Sequence, residues 1–161
     1  MENSMPWFGK LLCYSTPKAI ADIRGNSENQ ALYGSATFYD FDTGGVLIQV
    51  EIFGLPDDKL PGHSGFFGMH IHQYGNCAPP FDQTGNHYNP ANTEHPWHAG
   101  DLPPLLSGRG YAWTTFYDSR FSLSEILQKS LIIHAHADDF TTQPSGNSGN
   151  KIACGVIRPL R

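Results

Sequence analysis

An all-β fold is what this sequence predicts: a Greek-key antiparallel β-sandwich or flattened barrel with two long functional loops. Three observations carry that expectation. Gly and Pro are frequent, 17 and 12 among 161 residues, while charged residues make up only 16%; this composition suits short strands and turns better than a helical bundle. Runs with period two recur, clearest in Val46 to Phe53, where Val46, Ile48, Val50 and Ile52 share one face. Two stretches, 73–109 and 138–150, lack any period, and loops so long in a compact domain are usually functional. The length fits one domain, read as an irregular N-terminal arm over 1–17 followed by a β-sandwich domain over 18–161.

The elements follow in order. Ala19 to Ile23 is a first strand, Tyr33 to Tyr39 a second, and Val46 to Phe53 a third, with Asp42-Thr43-Gly44-Gly45 as the turn before it. Leu55 to Gly62 is loop. Phe67 to His72 alternates, with Phe67, Met69 and Ile71 on one side and His70 and His72 on the other. Gly110 to Tyr117 is a further strand. Ser122-Leu123-Ser124-Glu125 has capping-box spacing, so Ser122 to Lys129 is expected to start with a helical turn. Leu131 to His134 reads as a buried strand end and Ile152 to Ile157 as the last strand.

Composition also excludes classes of function. The net charge is −5 and no Lys/Arg-rich run occurs, so nucleic acid is not an expected partner. No apolar run of membrane-spanning length occurs, so no membrane is expected either. Met1 to Pro6 lacks a basic leader region; the expected location is the cytoplasm, or outside the cell if a leader has been removed. Cys13, Cys77 and Cys154 allow at most one disulfide and leave one free thiol.

The outlier is histidine. Seven of the eight His lie in two clusters, His70 to His98 and His134 to His136. His70 and His72, two apart on a strand, project to one face and can reach one ion. His87, His95, His98 and Asp101 place three imidazoles and a carboxylate within fifteen residues, a donor set for a closed tetrahedral site. His134 ends an apolar strand, where a ring nitrogen needs a partner. Each segment alone has a bland reading, a surface loop or a hydrogen-bonded core His. Together they offer enough ligands for two adjacent sites if one imidazole serves both.

These residues are similar to the copper/zinc superoxide dismutase family over roughly 18–160. The motifs are Gly68-Met69-His70-Ile71-His72, Gly85-Asn86-His87-Tyr88-Asn89-Pro90, His98-Ala99-Gly100-Asp101-Leu102, Leu131-Ile132-Ile133-His134, Ala137-Asp138-Asp139 and Ala153-Cys154-Gly155-Val156-Ile157, in the family's order. Gly100 to Pro103 and Ser122 to Ile126 look closer to the bacterial branch. The resemblance implies one copper and one zinc ion per chain. Copper would be held by His70, His72, His87 and His134, and zinc by His87, His95, His98 and Asp101, with His87 as the bridge. Asp138 would accept hydrogen bonds from one copper His and one zinc His. Cys77 and Cys154 would form a disulfide, which sits uneasily with a cytoplasmic location. The implied activity is disproportionation of superoxide to O₂ and H₂O₂ at copper, with zinc structural. A homodimer and a monomer both remain open.

The chain departs from the family pattern in three places. Lys151 stands where the family has an Arg above copper; it keeps the positive charge but loses the planar fork, so the expectation is a steering residue with weaker docking of the anion. Only two residues separate His95 from His98. The 135–150 loop is short and carries His136 near where a cationic steering residue would stand; His136 is not read as a ligand, and His63 is read as surface. Two other functions stay in view: a catalytically weak copper- and zinc-binding member of the family, and a sandwich whose loop is merely stiffened by zinc. The last has no use for His70, His72 and His134 together.

Overall fold

A computed structural model describes residues 15–41, 44–56 and 64–160. Most of the N-terminal arm, Cys13, the Asp42–Thr43 part of the turn, and His63 lie outside these residues. Nine strands are described: β1 (Ala19–Gly25), β2 (Tyr33–Asp40), β3 (Val46–Phe53), β4 (Phe66–Phe67), β5 (Met69–His72), β6 (Leu105–Leu106), β7 (Tyr111–Asp118), β8 (Ser130–His134) and β9 (Lys151–Pro159). Seven form one antiparallel sheet in the order β5-β8-β9-β1-β2-β3-β7, and β4 and β6 form a separate ribbon. The sheet curls into a half-barrel. After β3 the chain crosses to the far edge for β5, returns for β7, and crosses again for β8. Those long crossings supply the loops around the site.

The curl has a sequence basis. Ala19, Ala21 and Ile23 of β1, Ala36 and Phe38 of β2, and Val46, Ile48, Val50 and Ile52 of β3 are fully buried on the inner face. Small residues mixed with large ones let neighbouring strands bend inward without overpacking the concave side. Met69, Ile71, Leu131, Ile133, Ala153 and Ile157 continue the same core under β5, β8 and β9.

Several elements differ from the sequence reading, β6 and a 3-10 turn at Asp82–Thr84 within the 73–109 stretch among them. The Phe67 to His72 run breaks at Gly68: β4 pairs with β6, while β5 pairs with β8. Gly68 instead donates its N–H to the His136 carbonyl at 2.7 Å, and its own carbonyl accepts from the His134 N–H at 2.9 Å. The helical segment is the single turn α1 (Leu123–Ile126). Glu125 closes its capping box by accepting from the Ser122 N–H at 2.7 Å, but Leu127 is already extended. The last strand is longer, beginning at Lys151 because His134 and Lys151 pair across β8 and β9. Among the described residues no helix is long and apolar enough to cross a membrane.

Cys77 and Cys154 form a disulfide across 77 residues of sequence. It ties the loop after β5 to β9 and packs beside Phe81 and Ile132. Closing so long a loop removes much chain entropy from the unfolded state, about 4 kcal/mol in that description. The Cys77→Ser/Cys154→Ser double variant is expected to lose stability of this order in denaturant unfolding; a loss below ~1 kcal/mol would refute it.

Candidate metal centre

Strand register builds the centre. On β5, Met69 and Ile71 face the core and His70 and His72 face the opposite side, where they too are buried. β8 lies alongside, with His70 opposite Ile132, so His134 emerges on the same side as the two histidines. The outer edge of β5 is taken up by loop backbone. Tyr88 donates to the Ile71 carbonyl at 2.7 Å, and Ile71 donates to the Gly100 carbonyl at 2.9 Å. This pairing sets His87 beside His72 and Asp101 beside His70. Gly100 is required there, since a Cβ would stand 2.3 Å from the Ile71 carbonyl oxygen.

Two groups of ligand atoms result: His70, His72, His87 and His134, and then His87, His95, His98 and Asp101. Within each group the atoms lie within 4.8 Å of one another, and all seven residues are buried. His87 belongs to both.

The hydrogen bonds decide which nitrogen of each ring faces inward. His72 Nδ1–H donates to the Gly85 carbonyl at 2.9 Å and His134 Nδ1–H to the Gly149 carbonyl at 3.1 Å. Carbonyls only accept, so both protons sit on Nδ1 and both Nε2 atoms present lone pairs. Those Nε2 atoms face each other at 3.3 Å. A shared proton does not resolve the pair at ordinary pH. Burial, and then the His134 ring, lowers the pKa of His72 to about 2; burial, and then His70, lowers that of His134 to about 3. A cation between them would.

Asp138 orients two further rings. Its Oδ2 accepts from His70 Nε2–H at 2.6 Å and its Oδ1 from His95 Nε2–H at 2.9 Å. Nδ1 of His70, His95 and His98 and Nε2 of His87 are then buried without a hydrogen-bond partner. Orphaned polar atoms inside a protein are costly, and all four of these belong to residues of the two ligand groups. Burial pushes the Asp138 carboxyl up, but hydrogen bonds from His70, the Phe140 amide and His95 outweigh it and bring the pKa down to about 2. Asp101 is likewise held below its usual range, because His87, His95 and His98 outweigh burial. Its Oδ1 meets His87 Nδ1 at 2.7 Å, while its Oδ2 lies 3.1 and 3.2 Å from Nδ1 of His95 and His98.

The short step from His95 to His98 is accommodated by local turns. Trp97 N–H donates to the Glu94 carbonyl at 2.8 Å, and His98 N–H to Asp101 Oδ2 at 3.0 Å. Two side chains passed over in the sequence hold this segment from outside. The Gln143 amide accepts from the His95 N–H at 3.1 Å and donates to the His95 carbonyl at 2.7 Å. The Arg120 guanidinium reaches the carbonyls of His98 and Asp101. No periodic or motif signal marks either one.

A cavity of about 480 Å³ opens onto His72, His87, His98 and His134, with Lys151 and Glu94 in its walls. Lys151 Nζ donates to Thr84 Oγ1 at 2.9 Å and to the carbonyls of Gly85 and Phe81 at 3.2 and 3.3 Å. Its three protons therefore have oxygen partners in the 81–85 loop. Burial lowers its pKa, partly offset by Asp82. His136 is exposed and belongs to neither ligand group.

The family model for copper/zinc superoxide dismutase matches residues 32–157. The chain belongs to the copper/zinc superoxide dismutase family. A Cu-Zn superoxide dismutase of Deinococcus radiodurans is 33% identical over 149 residues, covering 79% of this chain and 78% of the relative. The superoxide dismutase-like protein YojM of Bacillus subtilis is 36% identical over 148 residues, covering 82% and 72%. Among solved structures, a double mutant (Y88H-P104H) of a SOD-like protein from Bacillus subtilis aligns with TM-score 0.74 at 33% identity, covering 86% of this chain and 96% of that one. The clock protein EA4 aligns with TM-score 0.73 at 28% identity, covering 91% and 98%. The family implies copper and zinc, and the donors fit both. Four imidazoles suit copper, and three imidazoles with one carboxylate suit tetrahedral zinc.

Proposed function

We propose that this member of the copper/zinc superoxide dismutase family disproportionates superoxide, converting two superoxide anions and two protons to O₂ and H₂O₂. Copper would be held by His70, His72, His87 and His134, and zinc by His87, His95, His98 and Asp101, one ion of each per chain. When bound, copper supplies a one-electron carrier with two accessible oxidation states, and zinc supplies a fixed positive charge without redox chemistry. The observation that carries this reading is the pair of facing Nε2 lone pairs on His72 and His134, whose tautomers are set by the Gly85 and Gly149 carbonyls.

The chain's own residues have distinct tasks. His87 keeps Nδ1 on the Asp101 side. Its Nε2 faces the four-imidazole group and is the atom that can take up a proton and return it to the reduced oxygen species. Gly85 and Gly149 keep the His72 and His134 rings from turning. Lys151 contributes positive charge to the cavity wall and attracts the anion.

A second reading, a catalytically weak copper- and zinc-binding protein, draws support from Lys151, whose protons are committed to the 81–85 loop. Metal analysis should return about one copper and one zinc per chain, whereas zinc alone would refute both readings. A superoxide assay on the copper-loaded protein separates them, since a rate at background would leave only metal binding. Arg has five donors in a planar fork, enough to keep loop contacts and still present N–H groups to an anion. The Lys151→Arg variant is therefore expected to run several-fold faster at low ionic strength. No gain there would count against a role for Lys151 in docking.

A further inference from the structure

His98 differs from the other five imidazoles of the two groups. His70 and His95 are fixed through Asp138, His72 and His134 through backbone carbonyls, and His87 through Asp101. The His98 ring makes no such hydrogen bond with the described residues; its buried Nδ1 only approaches Asp101 Oδ2, at 3.2 Å. What is held instead is its backbone, with the N–H on Asp101 Oδ2 at 3.0 Å and the carbonyl on Arg120 Nη1 at 3.1 Å.

Arg120 itself is locked. Its Nε donates to Asp118 Oδ1 and Oδ2 at 3.0 and 3.2 Å, its Nη2 to Oδ2, and its backbone N–H to Oδ1 at 2.9 Å. Asp118 ends β7 and is 6% exposed. A bidentate carboxylate pair fixes the guanidinium plane, so the remaining donors point in a set direction. They meet the carbonyls of His98 and Asp101, the two ends of the turn closed by the Asp101 N–H on the His98 carbonyl at 3.1 Å. A peptide plane held this way sets where the attached Cα–Cβ bond aims. The rigid edge of β7 is thereby transmitted to two ligands on a loop.

We propose that Arg120, locked by Asp118, is a positioning residue for the zinc position, acting through the His98 and Asp101 carbonyls. This rests on the reading that His87, His95, His98 and Asp101 hold zinc. Lysine in its place keeps the charge but cannot span the carboxylate and both carbonyls.

The test titrates metal-free full-length protein with Zn(II) against a competing chelator, and separately with Co(II), whose visible absorption reports ligand geometry. Arg120→Lys is expected to bind Zn(II) about 10–100-fold more weakly, the range seen when groups that orient metal ligands are removed, and to shift the Co(II) bands. Asp118→Asn, which loosens the lock but keeps the arginine, should show the same signature to a smaller degree, and it decides the matter if Arg120→Lys does not fold. Unchanged Zn(II) affinity and Co(II) spectrum in the folded variants, even with a lower melting temperature, would overturn the proposal. Failure of the wild-type chain to bind Zn(II) would instead overturn the underlying reading.

Discussion

Asp138→Asn is expected to weaken metal binding in at least one of the two groups by about 10–100-fold while leaving the chain folded. The carboxylate accepts from two imidazole N–H groups and from the Phe140 amide, whose N–H lies 2.7 Å from Oδ1. An amide of the same shape has one accepting oxygen and one donating nitrogen. Whichever way it turns, its N–H₂ confronts the Nε2–H of His70 or His95. That ring escapes the clash by moving its proton to Nδ1, and Nδ1 is its buried, unpartnered nitrogen in either case. The ligand lone pair is then lost without any ligand being mutated. Competition titrations of metal-free wild type and variant with copper and with zinc check this. Affinities equal to wild type for both metals would show that Asp138 does not set the tautomers.

The second large effect is acid sensitivity of the metal-free protein. Unfolded, the imidazoles titrate near 6.5, whereas folded His72 and His134 stay neutral down to about 2 and about 3, and burial lowers His70 as well. Between those values the unfolded chain binds more protons than the folded one, so stability falls as pH falls. Each such His steepens the loss by up to about 1.4 kcal/mol per pH unit below pH ~6.5. Asp138, also depressed, adds to the loss in the same direction only below its ordinary range near 3.8. Urea unfolding of the metal-free protein is expected to show about 2–4 kcal/mol less stability at pH 5 than at pH 7.5. A His134→Asn variant should have a shallower dependence. A wild-type midpoint that does not move between these pH values would contradict buried, neutral imidazoles.

What the amino-acid sequence determined by itself was whatever depends on neighbours along the chain. Alternation in Val46 to Phe53 marked β3 and its inner face, because side chains two apart share a side of a strand whatever lies beyond it. The Ser122–Glu125 spacing marked a helix start for the same local reason, and the paired spacing of His70 and His72 placed both on one face. The family motifs extended this to the seven ligand candidates and the disulfide partners. The tertiary structure decided what distant segments do to one another. The break at Gly68 follows from contacts with His134 and His136, which no local period records. Which nitrogen of His70, His72, His95 and His134 is free depends on Gly85 in the loop after β5 and on Asp138 and Gly149 in the loop between β8 and β9. Lys151 reads in sequence as a cation for an anion, yet its protons meet oxygens 66 to 70 residues away. Gln143 and Arg120 carry no local signature, because they act on backbone atoms 48 and 19 to 22 residues distant. A ligand set is a list of side chains and can be read from a sequence. The aim and protonation of those side chains are properties of the packed loops around them.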